Sequence, residues 1–136
     1  MTSVQVATQA RLERITKQLE SEYGLDGWLD VRHVFDTGYD GDTTLENDGS
    51  QMVYPTTAIT TPSFKYRCAR IRWFLNVAAP QSDSDLEAIA THEYMHAVLA
   101  PLTIPHHKSM SADMEELVAE TLTRIICRVR GMENVH

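Results

Sequence analysis

At 136 residues the chain is long enough for one domain with a real core and short for two. Nineteen acidic against twelve basic residues leave a net charge of −7, which argues against a nucleic-acid binder or a protein held on an anionic membrane, since both need a basic footprint. No apolar run approaches the ~18 residues of a membrane span, and the polar residues 1–11 lack the features of a signal peptide, so a soluble, cytoplasmic protein is expected.

Residues 5–22 read as a helix. Leu12, Ile15 and Leu19 mark one face, Arg11, Glu13, Arg14, Lys17 and Glu20 the others, and Gly24 suits a stop. Leu29, Val31 and Phe35 alternate with polar neighbours, which predicts a strand over residues 28–35. Residues 36–50 are rich in Gly and acid and read as a solvated loop. A calcium site there lacks the glycine and terminal glutamate of an EF-hand at the required offsets. Residues 52–60 favour one strand, with Pro55 marking an edge or a break.

Residues 66–77 predict a third strand, with a helix as the alternative. Ile71, Trp73, Leu75 and Val77 oppose Arg70, Arg72 and Asn76, and Pro80 punctuates. Ser84 and Glu87 have the spacing of a capping box. The helix they introduce is expected to reach residue 99 or 100 and stop at Pro101. A loop with His106 and His107 follows. The last helix starts near Ser111 and ends before Gly131, with Met114, Leu117, Val118, Leu122, Ile125, Ile126 and Val129 as its apolar face. Cys68 and Cys127 lie in apolar stretches and predict buried, reduced thiols. The pattern is that of a single α+β domain without repeats.

The most informative stretch is His92-Glu93-Tyr94-Met95-His96, an H-E-x-x-H string inside the predicted helix. On a helix, residues i and i+4 lie one turn apart on one face, so both imidazoles can grip one metal ion. Glu93 sits beside them, placed to take a proton from a metal-activated water. Tyr94 points the other way by phase and is expected to pack.

A catalytic zinc site generally takes three protein ligands. The metzincin pattern would need glycine and histidine where this chain has Leu99 and Leu102, so that route fails. The last helix offers Glu116, with Glu120 one turn on. One carboxylate can close the coordination while the other accepts the N–H of a ligating imidazole. Helix phase favours Glu116 as ligand; Glu120, and Glu115 or Asp113, stay open as alternatives.

This arrangement resembles the gluzincin clan of metallopeptidases, of which thermolysin is a familiar member. That clan pairs H-E-x-x-H with a glutamate on a second helix and an acidic residue four positions further on. His92, Glu93, His96, Glu116 and Glu120 match the pattern, with Glu120 standing where thermolysin has aspartate. In its shortness the chain resembles the minigluzincins. The resemblance implies a backing helix, a small three- to four-stranded sheet, an active-site helix and a C-terminal glutamate helix.

The expected function is therefore a zinc-dependent endopeptidase acting on a peptide or protein. His92, His96 and Glu116 would hold Zn2+, Glu93 would act as base and then acid, and Glu120 would orient His92. An oxyanion donor is sought among His106, His107, Tyr54 and Tyr66. The strand before the active-site helix would pair with an extended substrate, where Arg70 and Arg72 could favour acidic side chains. The alternative is a non-catalytic or latent zinc-binding module acting through a protein partner. In a latent form, the tail ending at His136 would lie in the cleft; otherwise it is expected to fray.

Overall fold

The computed structural model describes residues 1–25, 29–37, 42–45, 51–54, 56–63, 68–103 and 111–131. Among these the fold is α+β: four helices, a three-stranded sheet and a separate two-stranded ribbon.

Helix α1 (Ser3–Glu22) starts at a capping box in which Thr2 and Gln5 satisfy each other's backbone N–H groups. Its face of Leu12, Ile15 and Leu19 is buried, as the periodicity predicts. Gly24, at φ 70°, turns the chain away just past the C-cap Tyr23.

Strand β1 (Asp30–Asp36) follows. The stretch predicted as a loop contains β2 (Asp42–Leu45), which pairs antiparallel with β3 (Gln51–Tyr54). The single strand predicted over residues 52–60 is in fact two, and they belong to different sheets. The second of them is β4 (Ala58–Ser63); Pro55, the expected edge or break, lies outside the described residues. The third predicted strand is shorter than its pattern suggests. β5 (Cys68–Phe74) ends where Leu75 and Val77 enter a single turn of helix, α2 (Leu75–Ala78).

The main sheet has the order β1-β5-β4. β5 is central, parallel to β1 and antiparallel to β4. Ala69, Ile71 and Trp73 point into the core, and Arg70 and Arg72 point to the opposite, exposed face. Trp73 Nε1 donates to His33 Nδ1 at 3.0 Å, leaving His33 Nε2 to donate to Glu20 Oε1 at 3.2 Å. This chain of polar contacts ties β5 and β1 to α1.

Helix α3 (Asp83–Thr103) forms the middle of the helical layer, against α1, α4, β4 and β5. Its start differs from the predicted Ser84–Glu87 box. Ser82 is the capping side chain, accepting from the Asp85 N–H at 3.1 Å, while Asp83 and Asp85 face the positive end of the helix dipole. Arg11 braces this start from α1, donating to Asp83 and to the carbonyls of Ala79 and Gln81. At the other end, α3 runs past the predicted stop. Pro101 removes one N–H, yet the helix ends only at Thr103, two residues later.

Helix α4 (Ala112–Val129) is capped by Ser111, whose hydroxyl accepts from the Met114 N–H. Its predicted apolar face is split. Val118, Leu122 and Ile126 pack against the core, but Met114, Leu117, Ile125 and Val129 are exposed. The buried stripe is Ala119, Thr123 and Cys127. Small residues there let α4 approach α3 closely, and that rotation turns Glu116 and Glu120 toward α3. Of the two cysteines, Cys127 is buried and Cys68 only partly so.

Candidate metal centre

The backbone phase of α3 divides the H-E-x-x-H string as the helical period requires. Tyr94 is fully buried on the α1 side, its hydroxyl donating to the Thr16 carbonyl at 3.3 Å and its ring edge-on to Tyr23. His92 and His96 share the other face, half-buried, with Nε2 atoms 3.1 Å apart.

Helix α4 supplies three carboxylates to these two rings. Glu116 spans them, Oε1 lying 2.9 Å from His92 Nε2 and Oε2 lying 3.0 Å from His96 Nε2. Glu120 Oε2 is 3.1 Å from His92 Nδ1, and Glu115 Oε1 is 2.7 Å from His96 Nδ1. Each imidazole thus has a carboxylate behind it to accept the Nδ1–H. That fixes the tautomer whose Nε2 lone pair is free to bind a metal.

His92, His96 and Glu116 offer one ligand atom each within 4.8 Å of one another, and the group can hold a metal ion. The two Nε2 atoms, 3.1 Å apart, lie a little under the ~3.3 Å between ligands of a tetrahedral ion with bonds of ~2.0–2.1 Å, and a different oxygen of Glu116 approaches each, at 2.9 and 3.0 Å. A small outward shift would complete the fit. Glu116 is more than half exposed, so the adjustment falls on a side chain with room to move. Two imidazoles and a carboxylate suit zinc and several other first-row divalent metals.

Glu93 is buried beside this group. Burial pushes its carboxyl above the ordinary range, opposed by a hydrogen bond from Thr60 and by the two histidines. At His96, burial works against the charged ring. The Glu115 hydrogen bond and the surrounding carboxylates outweigh it and raise the pKa.

In front of these groups lies a cleft of about 330 Å³ between His92, Glu93, His96 and Glu116 on one side and Thr56, Ala58, Ile59 and Thr60 on the other. A pocket of about 240 Å³, also bordered by His92 and Glu93, extends past Ala88, Ile89 and Thr123. The strand beside the cleft is β4, which among the described residues is an edge of the main sheet, and not β5 as the sequence suggested. Arg70 and Arg72 lie on the face turned away from the helices, so the expected preference for acidic side chains has no support from their placement.

The structure therefore brings together His92, Glu93, His96, Glu116 and Glu120. Asp113 is exposed in the first turn of α4 and outside the group. Glu115 takes a different part from the one considered for it, as a partner of His96 at Nδ1. The doubled Glu115-Glu116 was its signal, since consecutive helical residues 100° apart can flank one ring. Nothing in the sequence marked Thr60. His106, His107, Tyr66 and His136, and the side chain of Tyr54, lie outside the described residues. No family model, curated protein or solved structure matches the chain.

Proposed function

We propose that this protein is a zinc-dependent endopeptidase of gluzincin type. The observation that carries the proposal is the convergence of His92, His96 and Glu116 on one point with Glu93 buried beside it, all bordering a cleft along an edge strand. A purely structural metal site has no use for a general base at that position.

His92, His96 and Glu116 would hold the zinc, while Glu120 and Glu115 orient the two imidazoles. Bound zinc would supply Lewis acidity, acidifying a water and polarising the scissile carbonyl. Glu93 would accept the proton of the attacking water and return it to the leaving amine. An extended peptide would add to the edge of β4 that no described strand pairs with, its backbone paired with the strand and its side chains alternating toward and away from the cleft.

The experiment is metal analysis together with cleavage of an unfolded protein mixture. The proposal expects about one zinc per chain, cleavage abolished by a chelator, and recovery on adding zinc. A second reading, a zinc-binding module acting through a protein partner, has one observation in its favour: the exposed Met114, Leu117, Ile125 and Val129 on α4. Stoichiometric zinc without cleavage would favour that module.

A further inference from the structure

The Thr60 hydroxyl on β4 hydrogen-bonds the Glu93 carboxylate at Oε2, across the interface between the edge strand and α3. The same hydroxyl also lies 3.4 Å from the Glu93 backbone carbonyl. Alternation along β4 explains why Thr60 reaches this place. Ala58 and Thr60 share the inward face, and Thr60 lies in register with the fully buried Ile71 of β5. Ala58 is small and buried, which brings the strand close to α3, and Thr60 then meets Glu93 directly.

One hydroxyl carries one hydrogen. The charged carboxylate is the stronger of its two acceptors and the shorter contact, so the hydrogen goes to Oε2. A flexible glutamate side chain that lines the cleft is thereby held at one of its two oxygens. Threonine suits this task because branching at Cβ restricts χ1, so the hydroxyl is itself held in place.

We propose that Thr60 is a positioning residue for Glu93, holding the general base at the working distance from a water in the cleft and tying it to the strand against which the substrate lies. This rests on the peptidase reading above. The role belongs to the hydroxyl and not to the shape of the side chain. Valine, of the same shape, should therefore fail where serine succeeds.

The test compares Thr60→Val and Thr60→Ser with wild type in cleavage of an unfolded protein by zinc-loaded enzyme, with zinc content measured on each sample. The expected result for Thr60→Val is a fall in kcat of about 10- to 100-fold, the scale on which misplacing a reacting group acts, with KM and zinc content unchanged. Thr60→Ser should recover most of that loss. In a Glu93→Gln background, Thr60→Val should change nothing further, because the group it positions is gone. In metal-free protein labelled with 13C at the glutamate carboxyls, the Glu93 resonance, assigned by its loss in Glu93→Gln, should move in Thr60→Val and stay in Thr60→Ser. If Thr60→Val does not fold, Thr60→Ala takes its place in each comparison.

Wild-type kcat in Thr60→Val would overturn the proposal. So would a Thr60→Ser variant as impaired as Thr60→Val, or an unmoved Glu93 resonance. Zinc-loaded wild type that cleaves nothing would instead remove the peptidase reading, and this role with it.

Discussion

Glu120 and His92 meet at 3.1 Å, carboxylate to Nδ1, on the side of the ring away from Glu116. Glu115 makes the equivalent approach to His96 at 2.7 Å. The two histidines are thus supported separately, by residues on either side of the carboxylate that spans them. These supports orient the rings before any metal arrives, which distinguishes a prepared site from two histidines that happen to lie one turn apart.

Removing either support should therefore weaken metal binding without abolishing it. Glu120→Gln and Glu115→Gln should each lower zinc affinity by about 10- to 100-fold, measured by competition with a chromogenic chelator. Glu116→Ala should lower it further, because a ligand is lost and not only an orienting partner. Equal affinities for wild type and Glu120→Gln would show that the His92 contact does not orient the ligand.

The approach of α4 to α3 depends on Ala119, Thr123 and Cys127. Ala119 is fully buried at the point nearest Glu116 and Glu120. Ala119→Leu should overpack this interface and lower unfolding stability by about 1–3 kcal/mol in a denaturant titration. It should also weaken zinc binding, since it pushes the carboxylates away from the histidines. Lost stability with full zinc affinity would separate the packing from the site.

Much of this site could be read in the sequence, for a physical reason. The helical period is rigid, so His92 and His96 had to share a face and Tyr94 had to leave it. The same period put Glu116 and Glu120 on one side of α4. What escaped depends on how elements meet. The four apolar residues that α4 exposes look no different in sequence from the three that it packs, partly buried, against the core; the small residues between them set the rotation. β4 and β3 read as one strand because composition does not record which sheet a residue joins. Thr60 and Glu93 are brought together only by the packing of β4 on α3.

A dependence of stability on pH follows from the start of α3. Hydrogen bonds from Arg11 and then Arg14 outweigh slight burial and hold the Asp83 carboxyl below its ordinary range. A depressed carboxyl contributes stability above its unfolded pKa of about 4, and loses it as pH falls through the folded value. Asp83 is half exposed, so screening limits the contribution to about 1 kcal/mol or less. Asp83→Asn should melt a few degrees below wild type at pH 7, by roughly 2–5 °C, and the gap should close as pH falls below about 4. A gap that persists at pH 2 would mean that the contribution of Asp83 does not depend on its charge.

The most direct test of the account is the behaviour of Glu93→Gln. The variant removes the proposed proton acceptor and leaves His92, His96 and Glu116 in place. With zinc content equal to wild type, its rate of cleavage of an unfolded protein should fall by at least about 100-fold, the scale of a lost general base. A zinc-loaded Glu93→Gln that cleaves as fast as wild type would contradict the assignment of Glu93 as the base, and with it the proposed mechanism.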